Sequence, residues 1–196
     1  MIVLEKDEKL LILNWLRNLL ARELSDEQLQ TLQAVEFSQF FAFLVEIGFE
    51  KQSSALQQEL QKIALFQHPR LELAADFTQC FLLEGKVSAL PYASAYLDEQ
   101  SLKQNLAKMD HYLERFQLQI NRQTNEPSDH LVVYLEVLIK LIEQNNATEA
   151  KAFIQQQQLL TWLPQFAKKT EKTNIRTHFY PILVRLLISV LQNKCT

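Results

Sequence analysis

Three features of this sequence predict an all-α fold. Its 196 residues contain only two glycines, Gly48 and Gly85, too few for the many tight turns of an all-β protein. Leu, Gln, Ala, Glu and Lys dominate the composition, and all five are good helix formers. Apolar residues recur at three- and four-residue spacing along most of the chain, which is the helical period. The length sits near the upper end of what one hydrophobic core supports, so the expected architecture is a single helical bundle. It is expected in two packed halves, residues 1–118 and 128–196, joined by a polar hinge at 119–127.

The elements follow in order. Lys9 to Leu20 reads as an amphipathic helix with Leu10, Leu13, Leu16 and Leu20 on one face. Ser25-Asp-Glu-Gln28 is a capping box that opens a second helix. That helix is expected to run through Leu29, Leu32, Val35 and Phe37 to Leu44 and to end near Gly48, a left-handed C-cap. A third helix, Ser53 to Phe66, places Ala55, Leu56, Leu60 and Ile63 inward, and Pro69 breaks the chain before a helix over 71–83.

Gly85 closes that helix, and Lys86 to Asp98 reads as a loop rich in apolar and aromatic residues, including Leu90, Pro91, Tyr92 and Tyr96. A loop this apolar is expected to pack back on the domain. Ser101 to Phe116 is again helical, with Leu102, Leu106, Met109 and Leu113 in register, and a polar linker follows to Glu126. Pro127 suits a first helical turn, and Ser128 and Asp129 are expected to cap the helix behind them. From Leu131 to Ile142 that helix is apolar on nearly every side, with Glu136, Lys140 and Glu143 as a narrow wet stripe. Glu136 and Lys140 stand in the favourable i,i+4 order. Such a helix belongs at the centre of the bundle. Thr148 is expected to cap a short helix through Phe153, and Gln155–Gln158 reads as a solvated turn. Leu159–Phe166 and Thr173–Leu191 complete the chain.

Composition also excludes. A net charge of −3 argues against nucleic acid as the main ligand, because phosphate contacts need a basic face. Met1 to Lys9 lacks a basic n-region and a small-residue cleavage site, so no secretory signal is expected. The apolar runs are interrupted by Glu136, Lys140 and Arg185, so no membrane insertion is expected. Cys80 and Cys195 have no metal spacing, consistent with reduced thiols in the cytoplasm. The phosphate, zinc-protease and nucleophile-elbow motifs are missing, and the four histidines are scattered, so neither a catalytic residue nor a metal site is assigned.

Two constellations remain. Glu126, Asp129 and His130 form either a helix cap or an acidic and imidazole recognition patch, and ordinary capping is the commoner use of such residues. Leu90, Pro91, Tyr92, Tyr96 and Asp98 form either a packed loop or a binding surface. His130 with Asp129 would suit a general base, but no nucleophile accompanies the pair.

Together the stretches Asp76–Asp98 and Asn125–Leu131 resemble the TorD family, chaperones that mature bacterial molybdoenzymes such as trimethylamine N-oxide reductase. Residues 126–131 fit the hallmark of an acidic residue, Pro, a variable position and Asp-His-Leu. Residues 91–96 fit the Pro-Tyr-x-Ser-x-Tyr loop. The resemblance implies a cytoplasmic protein with no reaction and no cofactor of its own. Its partners would be an apo-molybdoreductase and that enzyme's twin-arginine signal peptide. Export would wait until molybdopterin guanine dinucleotide is inserted in the client. Weak guanine nucleotide binding is a further family property, with no residues here attached to it.

The client site implied is Leu90, Pro91, Tyr92, Tyr96, Asp98, Glu126, Asp129 and His130. A monomer and a dimer formed by exchange of halves both stay open. The rival readings are a generic helical adaptor and a small enzyme built on His130 and Asp129.

Overall fold

A computed structural model describes residues 3–118, 128–157 and 159–195. It is all-α, with ten α-helices among the described residues. They are α1 (Lys6–Ala21), α2 (Asp26–Gln33), α3 (Ser38–Glu46), α4 (Glu50–Ala64), α5 (Pro69–Phe81), α6 (Glu99–Arg115), α7 (Leu131–Glu143), α8 (Ala147–Ala152), α9 (Leu163–Thr170) and α10 (Phe179–Gln192). A two-residue parallel pairing of Val3–Leu4 with Lys194–Cys195 brings the two ends of the chain together. No helix among the described residues is long and apolar enough to cross a membrane.

The helices start and stop for local reasons. Glu5 and Glu8 form a reciprocal capping box at α1, and Ser25 and Gln28 form the one expected at α2. Pro69 occupies the first turn of α5, where its missing N–H leaves no bond unmade. Gly48 follows α3 with φ 93, the left-handed conformation expected of a C-cap glycine. Gly48→Ala should lower stability by about 1 kcal/mol, because a Cβ is strained at this φ. Urea unfolding of the two proteins checks it.

The second helix is broken where continuity was expected. It stops at Gln33, Ala34 turns extended with ψ 147, and Val35–Phe37 forms a short 3₁₀ turn before α3. Val35 is consequently 83% exposed rather than part of the buried face. The turn lets α3 lie against α4 while Phe37 and Phe40 close on Trp15 of α1, at 6.2 and 4.8 Å between ring centroids. Aromatic packing across helices outweighs continuing one helix.

α7 and α10 form the centre. α7 packs on α1, and α10 packs on α1, α4, α5 and α9. Only Val132, Glu136, Lys140 and Glu143 of α7 escape full burial, so its all-round apolar character matches its position. Lys140 pairs with Glu143 at 2.8 Å, not with Glu136. One continuous core includes residues from both sides of the 119–127 segment.

Near the C-terminus two expectations shift. Asn146, not Thr148, caps α8, its side-chain oxygen accepting the Glu149 N–H at 3.1 Å. α10 begins at Phe179 rather than Thr173, because two buried acids hold the preceding backbone out of helix. Asp76 accepts the N–H groups of Arg176 and Thr177, each at 2.8 Å, and Glu59 accepts that of His178 at 3.0 Å. Pro181 falls in the first turn of α10, where it is tolerated. Cys80 is fully buried, and burial, reinforced by the nearby Asp76 charge, pushes its thiol up to about 12. It is an inert core thiol.

Candidate functional site

The two constellations meet. Pro91 to Ser94 runs alongside Asp129 to Leu131 in an antiparallel contact centred on Tyr92 and His130. The Leu131 N–H donates to the Pro91 carbonyl at 2.8 Å, and the Ala93 N–H donates to the Asp129 carbonyl at 3.0 Å. A third bond runs from the Ser94 N–H to the Asp129 carboxylate at 2.9 Å. The Tyr92 and His130 rings meet edge to face, 5.0 Å apart at 68°.

This pairing explains the start of α7. His130 is held extended, at φ −73 and ψ 139, so helical geometry begins only at Leu131. His130, not Ser128 or Asp129, is the N-cap, with Nδ1 accepting the Val132 N–H at 3.2 Å. The Asp129 carboxylate is turned away from the helix it was expected to cap and toward the loop. Both side chains are nearly inaccessible, Asp129 at 3% and His130 at 5% exposure. Glu126 and Pro127 lie outside the described residues.

The rest of the loop is anchored at both ends. Upstream, the Ala89 N–H donates to the Cys80 carbonyl at 2.7 Å, and the Ser88 hydroxyl donates to the Gln79 carbonyl at 2.6 Å. The Lys169 ammonium donates to the Gly85 carbonyl. In the middle, the Tyr96 hydroxyl donates to the Leu90 carbonyl at 2.9 Å and closes the loop on itself. Downstream, Asp98 becomes the N-cap of α6, accepting the Ser101 N–H at 2.9 Å and its hydroxyl at 2.7 Å. The Ser101 N–H first, and its hydroxyl second, hold the Asp98 carboxyl below its ordinary value, so it is a standing negative charge at the surface.

Beneath the loop lies a residue that the sequence reading passed over. Trp162 is fully buried, stacks on Tyr96 at 5.8 Å and 15°, and touches Tyr134 of α7 at 5.6 Å. It thus ties the loop to the central helix through ring contacts. The Tyr134 hydroxyl donates to Asn105 of α6. Burial pushes both tyrosine hydroxyls well above their ordinary value, so they stay protonated donors.

A second oversight is apolar. Leu82, Leu83 and Val87, just before the loop, are 59%, 36% and 58% exposed. The helix expected over 71–83 stops at Phe81, so both leucines fall beyond the helical face that buries Leu73, Phe77 and Phe81. Of the expected site residues, Pro91 is buried, Leu90, Tyr92 and Tyr96 are half-buried, and Asp98 is exposed. Among the described residues, no group of three or more His, Cys, Asp and Glu side chains is placed to hold a metal.

A clasp between an aromatic loop and the first turn of a central helix, with apolar and acidic groups beside it, suits holding another chain. The sequence matches the family described as nitrate reductase delta subunit over residues 44–168, a span that contains the whole clasp, and the chain belongs to that family. It is a maturation chaperone rather than an enzyme.

Three relatives within the family carry one name. A chaperone protein TorD of Actinobacillus succinogenes is 91% identical over 193 residues, covering 98% of this chain and all of the relative. The chaperone protein TorD of Actinobacillus pleuropneumoniae serotype 3 is 56% identical over 194 residues, covering 99% and 98% of the two chains. That of Pasteurella multocida is 46% identical over 195 residues, covering 100% and 99%.

Proposed function

We propose that this chain is the cytoplasmic chaperone of trimethylamine N-oxide reductase. In this reading it binds the apo-enzyme and its twin-arginine signal peptide and delays export until molybdopterin guanine dinucleotide has been inserted. The chaperone itself needs no cofactor. The observation that carries the reading is the clasp with its surroundings: half-buried Leu90, Tyr92 and Tyr96, exposed Leu82, Leu83 and Val87, and the exposed Asp98 charge. A signal peptide joins an arginine pair to an apolar stretch, so its receptor needs a carboxylate beside apolar surface. In this division of labour Asp129 and His130 hold the loop in place, while the half-buried and exposed residues meet the client.

Calorimetry with the trimethylamine N-oxide reductase signal peptide tests this. The controls are a dimethyl sulfoxide reductase peptide and a version with the arginine pair changed to lysines. Selective binding of the first peptide is expected, and equal binding of all three would leave only an adaptor with an apolar surface. Asp98→Ser keeps a competent N-cap while removing the charge, so it should weaken peptide binding about threefold and leave stability nearly unchanged. Asp129→Ala removes the acceptor of the Ser94 N–H. It should lower stability by about 2 kcal/mol and weaken peptide binding because the loop is released. A folded Asp129→Ala variant that binds peptide as tightly as the parent protein would sink the assignment.

A further inference from the structure

A cavity of about 540 Å³ lies on another part of the surface, where the start of α1 meets the end of α7, α8 and the end of α10. Its walls combine two chemistries. Ile142, Ile154 and Leu191 supply apolar surface, and Lys6, Lys9 and Lys151 supply positive charge. No carboxylate is among the described residues that line it. This is notable in a chain whose net charge is −3.

Three acids of the same elements have partners of their own. Glu8 accepts the Glu5 N–H at 2.8 Å, Glu143 pairs with Lys140 at 2.8 Å, and Glu149 pairs with Arg115 at 2.7 Å. Neutral oxygens hold Lys6. Lys6 donates to the Glu143 carbonyl at 3.1 Å and to the Asn145 side-chain oxygen at 2.7 Å. Asn145 reaches it from a left-handed turn, φ 59, at the end of α7. Lys9 is only 2% exposed, and its ammonium donates to the Asn193 carbonyl at 3.3 Å. Lys151 is exposed, and none of the described carboxylates pairs with it or with Lys6.

A volume between roughly 300 and 1,000 Å³ with apolar walls and a few fixed polar groups is that of a small-molecule site. Carbonyl and amide oxygens orient an ammonium without cancelling its charge, so Lys6 and the exposed Lys151 place positive charge beside an apolar floor. We propose that it binds a small amphipathic organic anion. The apolar body lies on Ile142, Ile154 and Leu191, and the carboxylate, sulfonate or phosphate group meets Lys6 and Lys151. The proposal is independent of the client site.

The probe is 1-anilinonaphthalene-8-sulfonate, compared with N-phenyl-1-naphthylamine, which has the same rings without the sulfonate. Titrated into the full folded chain and followed by fluorescence, the sulfonate should bind saturably at one site and more tightly than the neutral ring. Added salt should narrow the gap. Lys151→Glu, at an exposed position that should not disturb folding, should weaken sulfonate binding about tenfold and leave the neutral ring unchanged. Lys168→Glu, the same charge change on exposed α9 surface, should leave both unchanged. Equal affinity for the two probes, or equal losses in the Lys151 and Lys168 variants, would overturn the proposal.

Discussion

Trp162→Ala should reduce unfolding stability by about 3–5 kcal/mol, the range for deleting a large buried aromatic side chain. Trp162 is fully buried and in ring contact with Tyr96, Tyr134 and Phe166, so its removal opens a void among groups that other contacts hold apart. Its indole N–H has no acceptor among the described residues, so packing rather than hydrogen bonding carries the loss. Trp162→Phe should therefore lose clearly less than the alanine variant. Urea unfolding with an unchanged m-value measures the effect. Hydrogen exchange should also quicken at the Ala93 and Ser94 amides, because the tryptophan supports the loop that carries them. Unchanged exchange there would separate the loop from the core beneath it.

Asp76→Ala should reduce stability by about 2–5 kcal/mol, since it strands the buried Thr177 N–H and the part-buried Arg176 N–H at once. Its carboxylate is 3% exposed and receives the Arg176 and Thr177 N–H groups at 2.8 Å each. Asp76→Asn should recover only part of the loss, because its NH₂ must face one of those donors. Exchange of the Thr177 amide reports the release directly, and an unaltered rate in a folded variant would show the bond to be dispensable. This residue opens the first stretch on which the family resemblance rests. Its use is to fix where α10 begins.

The site was legible to different depths. Periodicity placed α7 at the centre, since Leu131, Leu135, Leu138 and Ile142 leave no face free for solvent except the Glu136–Glu143 stripe. The apolar character of Leu90, Tyr92 and Tyr96 implied a loop folded back on the core, as found. Asp129 and His130 were legible as residues of a helix start, but their roles were not. Capping rules assign a carboxylate to its own helix unless a distant donor competes, and Ser94 is such a donor. Local pattern holds no trace of a partner 35 residues away.

The sequence by itself determined the helical class, the near-complete set of elements and the meeting of two motifs in one family. Each of these is a local or compositional property: glycine content, apolar period, capping residues and short spacings. Tertiary structure alone decided three other things. It broke the second helix at Ala34 so that Phe37 and Phe40 reach Trp15, and it held α10 back to Phe179 by bonding Asp76 and Glu59 to the preceding backbone. It also turned Asp129 from a cap into a clasp. In every case a buried carboxylate or an aromatic ring meets a partner remote in sequence, and that contact offers more than the local alternative. Buried polar groups must be satisfied wherever their partners lie.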